Sequence, residues 1–274
     1  MNRFSDKTII AIDRGATYTD FGVVGPAGLE KTLSLQKRDW QSITDIYADL
    51  NRSHRTDGTV FSGCAAGMPD DMQAHTSFIA EIDAIGFGGA ALASCSECIV
   101  VSMGTGSAIV HFAGNQARHV GGTGVGGGTI MGLASLICGS DDPLEIEALA
   151  LQGNASRTNL TIADLGYEEI SFLGGDMTAS NFARVQTDSK ADLAAGILRL
   201  VGETVGIIAS ICARESNCSD RIVMVGKVAG NKYIQQVLEL VGKLYGTQFL
   251  FPDNPGLATV YGAALKYRFD RKTS

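Results

Sequence analysis

Apolar and polar positions along this chain alternate in blocks that occur twice in the same order. "KTIIAID" (7–13) is a continuous apolar run closing on an acid, while "YTDFGVVG" (18–25) and "LEKTLSL" (29–35) alternate. Period-two runs of this length, broken by short polar turns, predict three strands in an antiparallel meander. A helix is expected over 40–53, a short buried strand at "GTVFSG" (58–63) and a helix of small apolar residues over 81–94. "CIVVSMGTGSAIVHFAGNQARHVGG" (98–122) then repeats the opening: strand, Gly-Thr-Gly turn, returning strand, a turn at "GN" and a third strand. Helices are expected over about 127–138, 143–152 and 189–216, then a strand at 221–226, a helix at 231–245, a strand at 247–251 and a last helix over 256–268.

Strands alternating with helices predict an α/β fold, and the recurrence predicts an internal duplication. The expected organisation is an N-terminal subdomain over 1–97 and a C-terminal one over 98–274, with a cleft between their first hairpin turns. Nothing of linker composition divides them, so they are expected to be tightly coupled.

Composition narrows the function classes. The 274 residues are 45% hydrophobic and 19% charged, which suits a globular protein with a large core. A net charge of −7 offers no basic stripe to neutralise phosphates and argues against a nucleic-acid partner. No uninterrupted apolar run reaches the roughly 20 residues of a membrane span, and the first residues lack a signal-peptide pattern. A cytoplasmic protein with no membrane partner is the expectation. Its six cysteines read as reduced thiols. "CSEC" (95–98) has the CxxC spacing of a metal or redox pair, but no second pair follows at a recognisable spacing, so ordinary cysteines are expected.

Thirty-four glycines concentrate the candidate chemistry. "DRGAT" (Asp13, Gly15, Thr17) and "GTGS" (Gly104, Thr105, Gly106, Ser107) are glycine turns after a strand, and their backbone N–H groups can form an anion-binding nest for a polyphosphate. Asp13, at a strand end beside such a turn, suits Mg²⁺ held through water. "GGTGVGGGT" (121–129, with Gly122, Gly124, Gly126, Gly127 and Gly128) would lay a third glycine loop, opening a helix, against nucleotide phosphate or ribose.

With these motifs in place, the chain resembles the type II (eukaryotic-like) pantothenate kinases, within the actin, hexokinase and acetate kinase superfamily. "VVSMGTGSAIVHFAGNQARHVGGTGVGGGTIMGLASLI" (100–137) carries the resemblance most specifically, and "EIDAIGFGGAAL", "GDMTASNFA", "RIVMVGKVAGN" (including Gly226) and "PGLATVYGAALKY" extend it along the chain. The resemblance implies a duplicated actin-like ATPase (ribonuclease H-like) fold with an interdomain nucleotide cleft. It also implies ATP and Mg²⁺ as cofactors and a homodimer. It makes Glu81 the catalytic base, although an acid at a helix start also interacts favourably with the dipole. Thr105 and Gly122 match positions on the pantothenate side of the cleft. Thr178 and Ala179 match a segment that covers the substrate from the partner subunit, and Thr178 equally suits an N-cap for a helix near Ser180.

Three departures accompany the match. His119, with Arg118 before it, stands where the family has an arginine contacting substrate and phosphoryl group. Strand alternation keeps Arg118 from substituting without a register change. In the first loop Ala16 replaces a glycine and Asp20 a lysine, with Arg14 or Lys227 as the compensating cation. Pro143 falls near an expected substrate tyrosine. The predicted activity is phosphorylation of the primary hydroxyl of pantothenate. Kept beside it are a same-fold kinase of another small hydroxyl compound, an impaired nucleotide- or acyl-CoA-binding homologue, and an ATP-driven dehydratase activator. The helix over 189–216, with Leu193, Ile197, Leu200, Val201, Val205 and Ile208 exceeding one apolar stripe, is either a dimer helix or a core helix.

Overall fold

The computed structural model describes residues 8–36, 39–54, 56–171, 173–175 and 177–273. The first half runs β1 (Ile9–Arg14), β2 (Thr19–Gly25), β3 (Gly28–Leu35), α1 (Trp40–Ser53), β4 (Gly58–Gly63), α2 (Asp70–Ala74), β5 (Thr76–Phe78) and α3 (Glu81–Leu92). The second half opens with β6 (Glu97–Met103), β7 (Ser107–Ala113), β8 (Gln116–Thr123), α4 (Gly127–Ile137) and α5 (Pro143–Gln152). Four short strands follow: β9 (Leu160–Thr161), β10 (Glu169–Ile170), β11 (Leu173–Gly174) and β12 (Thr178–Ser180). The chain closes with α6 (Lys190–Glu215), β13 (Ile222–Val225), α7 (Lys232–Tyr245), β14 (Phe249–Leu250) and α8 (Ala258–Thr273).

The duplication is exact in topology. The first sheet has the order β3-β2-β1-β4-β5 and the second β8-β7-β6-β13-β14. In each, a meander is antiparallel and the remaining strands join parallel to its first strand or to one another. Even the hairpin turn at "GN" behaves as the residues dictate: Gly114 and Asn115 both take positive φ, at 57° and 60°, the type I′ geometry that matches strand twist. The short β5 was not foreseen, because three residues carry too little pattern, yet it completes the fifth position of its sheet.

Alternation along the strands assigns the layers. Ile10, Ile12, Phe21 and Val23 face α1, while Ile9, Ala11 and Val24 face Val260, Ala263 and Ala264 of α8. In the second sheet Ile99, Val101, Met103 and Ile109 face the α4–α7 side, and Cys98, Val100, Val110 and Phe112 face Ile85, Phe87 and Ala90 of α3. Helices α3 and α8 thus form the layer between the sheets.

That middle layer is closed by glycine. A Cβ on Gly88 would lie 1.9 Å from Ala258 O, and one on Gly262 would lie 1.8 Å from Ala84 O. The helices cross backbone against backbone, which explains the small residues of 81–94.

The long helix α6 lies in the C-terminal core. Ile197, Val201 and Val205 are fully buried, and Leu193 and Ile208 pack against them. Most of the apolar excess that pointed to a dimer helix is therefore met within one chain, as in a core helix, while Leu200 lies outside the core clusters and Ile211 is 51% exposed. By length and composition α6 is the one described helix able to cross a membrane, and 61% of its most apolar window is buried in this fold.

Replacing Gly262 by Ala tests the crossing. The helix interior gains up to about 1 kcal/mol of propensity, while the methyl meets backbone that can yield only by separating the helices, a cost of about 1–3 kcal/mol or more. Urea unfolding should show a net loss of stability.

Candidate functional site

β1 ends in Asp13 and Arg14, β6 ends in Met103, and the turns beyond them meet. Thr17 Oγ1 and Thr105 Oγ1 are 3.1 Å apart, a hydrogen bond that joins the two halves across 88 residues of sequence. The first turn is held by the Gly15 N–H donating to Tyr18 O at 2.9 Å, the second by the Gly104 N–H donating to Gly106 O at 2.9 Å. The amides of Ala16, Thr17, Thr105 and Gly106 donate to no backbone carbonyl among the described residues, which leaves them as donors for an anion. Ala16 does not take a positive φ, so the alanine in place of the family's second glycine carries no backbone strain.

The third loop corrects one expectation. The N–H groups of Gly127 and Gly128, expected to face nucleotide, donate instead to Gly104 O (2.7 Å) and Thr105 O (2.8 Å). Ser107 Oγ donates to Val125 O at 2.8 Å, and a Cβ on Gly126 would sit 2.7 Å from Gly106 O. The glycines are needed because this loop stacks on the second turn and braces it. Gly124 remains open, with nothing within 4 Å of a Cβ placed there. Gly226 serves a parallel purpose at φ 87°, set against the backbone of Met103 at the foot of the second turn.

Charge gathers under the first turn. Asp13 Oδ1 is buried with no hydrogen-bond partner among the described residues. Burial pushes the Asp13 carboxyl up to about 7; the charges of Glu81 and Asp20 add to this, and Lys227 opposes it. Glu81, exposed at the first turn of α3, is thereby placed in the same electrostatic space as Asp13. A buried, unpartnered carboxylate oxygen among further carboxylates is a fitting donor for a hard divalent cation, so Asp13 fits Mg²⁺.

The Asp20 departure is answered from the other half. Lys227 Nζ reaches Asp20 Oδ1 at 2.7 Å and Ser34 Oγ at 2.8 Å, and lies 4.6 Å from the Tyr18 ring. Arg14 turns away: it donates to Cys64 O and Ala66 O at 3.0 Å and stacks over Trp40 at 4.4 Å. Both cations were candidates in the sequence, but only the fold brings Lys227 to Asp20 across 207 residues.

A β-bulge decides between Arg118 and His119. Gly121 pairs with Ile109 and His119 with Val110, leaving Val120 as the extra residue. Strict alternation puts residues 119 and 122 on opposite faces; the bulge brings both to the α3 face, where a Cβ on Gly122 would lie 3.4 Å from His119 Nε2. Arg118 pairs with His111 on the opposite face, so it and His119 do not serve one face together.

Two further expectations resolve locally. No helix begins near Ser180; Thr178 lies in β12 and donates to Glu203 Oε1 at 2.9 Å, so it is not an N-cap. Buried Glu203, which sequence reasoning passed over as one more helix acid, also accepts from Arg199 (2.8 Å) and Asn181 (3.3 Å) and ties the 178–181 segment to α6. Ala179 is exposed beside it. Pro143 is the first residue of α5, behind the cap Asp142, where its missing N–H costs nothing.

A family model described as Fumble matches residues 92–250, more than half of the chain. The chain belongs to the Fumble family. Its matched segment holds the second turn, the third loop, β12 and Gly226; Asp13 and Glu81 precede it. A type II pantothenate kinase of Oceanobacillus iheyensis is 30% identical over 173 residues, 62% of this chain and 64% of that protein, so the match spans just under two thirds of that relative. One of Staphylococcus haemolyticus is 26% identical over 232 residues, 81% of this chain and 87% of the relative. Among solved structures, the activator of the 2-hydroxyisocaproyl-CoA dehydratase from Clostridium difficile with bound ADPNP superposes with a TM-score of 0.66 at 15% identity, covering 97% of this chain and 96% of that one. The likeness shows the fold: the duplicated actin-like ATPase architecture.

Asp13 gives a signed prediction. Its folded pKa lies above the unfolded value, so the protonated form stabilises the metal-free fold below about pH 4 and that contribution is lost as pH rises to about 7. The stability difference between wild type and Asp13→Asn should move by a few kcal/mol across this window, measured by denaturant unfolding at a series of pH values. Mg²⁺ should raise the melting temperature of the wild type most above pH 7, and not that of Asp13→Asn.

Proposed function

We propose that this chain is an ATP-dependent kinase that phosphorylates the primary hydroxyl of pantothenate. The observation that carries the reading is the meeting of the two glycine turns at Thr17 and Thr105, with the unpartnered Asp13 and exposed Glu81 sharing the space beside them. Family membership and the type II pantothenate kinase relatives support the choice of acceptor.

The free turn amides around Thr17 and Thr105 would hold the phosphates of ATP, and the Gly126–Gly128 loop keeps the second turn in shape behind them. Bound through Asp13, Mg²⁺ would supply positive charge to the phosphate oxygens. The alcohol oxygen forms its bond to the γ-phosphorus as the bond to the β-phosphate oxygen breaks, and Glu81 takes the hydroxyl proton. His119 and Gly122, brought to one face by the bulge, line the acceptor side with Thr105. By the family resemblance, Thr178 and Ala179 would cover the acceptor of the partner subunit, their segment held by Glu203 of their own chain. A homodimer in the cytoplasm completes the reading; it rests on the family resemblance, since the core of one chain takes up most of the apolar face of α6.

A second reading, a kinase of another small alcohol, is favoured by one observation: His119 in place of an arginine at the acceptor. Imidazole is shorter than guanidinium and lacks its fork of donors for a carboxylate, so an acceptor lacking a carboxylate would suit it.

Glu81→Gln should lower kcat by about 10²–10⁴-fold with nucleotide binding retained; unchanged turnover removes Glu81 as the base. A coupled assay over a panel of alcohols should give highest kcat/KM with pantothenate, and nucleotide binding without turnover of any alcohol would indicate the impaired homologue. His119→Arg separates the two kinase readings. A modest change in pantothenate turnover upholds the first, whereas a sharp rise indicates that the native site serves another acceptor.

A further inference from the structure

Strand β6 has chemistry at both ends. Its C-terminal end carries the second glycine turn; its N-terminal end, six residues and roughly 20 Å away, carries Glu97. Ile99 pairs with His111 and Glu97 with Ala113, so Glu97 and His111 stand on the same face of adjacent strands. The third group arrives from above. After α6, Asn217 takes φ 55° and the Cys218 N–H closes on Ala213 O at 2.8 Å, which drops the Cys218 side chain onto that face.

We propose that Glu97, His111 and Cys218 form a binding site for a divalent cation of the zinc class. One ligand atom of each lies within 4.8 Å of the other two, and His111 Nε2 is 3.6 Å from Glu97 Oε1. Tetrahedral zinc with ligands at about 2.0–2.3 Å holds them roughly 3.3–3.8 Å apart, so small side-chain rotations close the set. His111 Nε2 is buried and has no hydrogen-bond partner among the described residues, an arrangement that is costly unless something is bound. Cys218 is fully buried and Glu97 is 46% exposed, which leaves the fourth position open to water on the outer side.

Burial holds the Cys218 thiol above its ordinary range and Glu97 adds to this; a metal ion reverses that balance and takes the thiolate. Binding releases the thiol proton, now donated to Ser216 O at 3.4 Å. Arg221, the neighbouring cation, is engaged by Asp220 Oδ1 at 3.1 Å and Asn217 O at 3.2 Å. The CxxC pair is not the ligand set: Cys98 faces the α3 side of the sheet, and burial pushes its thiol up to about 12. The motif's spacing pointed near the site, but its ligands are Glu97, inside the motif, and two residues distant in sequence.

Tag-free, chelator-treated full-length protein titrated with Co²⁺ should bind one equivalent and develop a thiolate-to-cobalt charge-transfer band in the near ultraviolet. Zn²⁺ should displace the cobalt and raise the melting temperature. Cys218→Ser should lose the band, and His111→Ala should weaken Co²⁺ binding at least about tenfold, the lower end of what losing even an outer partner costs. Cys95→Ser should leave both unchanged. Absence of the band in the wild type overturns the site, as does its survival in Cys218→Ser or its loss in Cys95→Ser. The wild-type zinc shift requires no variant to fold, and its absence would also overturn the site.

Discussion

The separation of the two sheets depends on one helix crossing. α8 packs on the first sheet and α3 on the second, so the distance between them sets how far apart the strand ends lie. Helix pairs usually sit 8–10 Å apart according to the side chains at their contact. Here Gly88 and Gly262 remove the side chains altogether and each backbone lies where the other's Cβ would be. The result at the end of β1 and β6 is contact between single hydroxyls, Thr17 and Thr105. A cleft between duplicated halves needs a hinge layer that is thin and stiff, and glycine on both helices supplies it. α3 carries a further consequence, because its first residue is Glu81: the helix that spaces the sheets also aims the candidate base.

Much of this was legible in the sequence. Long strands and helices followed from period and punctuation, with α1, β4 and α5 falling on the expected residues. The duplication was legible because hairpin turns and alternating runs are local signals, and the sheet orders repeat it strand for strand. What was not legible was long-range or set by register. Asp20 and Lys227 attract each other only once β2 and the segment after β13 are neighbours. The inserted Val120 cannot be seen in a run that reads "RHVGG", because alternation is a prior about faces, whereas pairing with β7 decides them. The short strands β9 to β12 have two or three residues each, below the length at which a period exists.

The glycine-rich loop shows a subtler limit. Its composition correctly signalled close approach, but composition does not say what approaches. A ligand phosphate and a neighbouring carbonyl both demand a bare backbone and a free N–H. Gly127 and Gly128 have given theirs to Gly104 and Thr105, so those two amides brace the second turn. The loop holds that turn rigid, which matters because anion recognition by amides depends on orientation fixed before the ligand arrives.

The same economy of position runs through the charges. Asp13, Glu81 and Asp20 together would repel one another and any polyphosphate, and burial already keeps Asp13 half protonated near neutrality. Lys227 neutralises the buried Asp20 while leaving Asp13 Oδ1 unpartnered. With the Asp20 side chain only 9% exposed, the pair's attraction is offset by the cost of taking its charges out of water. Its consequence is selective: the fixed cation takes up Asp20, and Asp13 Oδ1 is left without a partner among the described residues. The cation that meets Asp20 comes from the turn after β13, so its charge crosses from one half of the duplicated fold to the other.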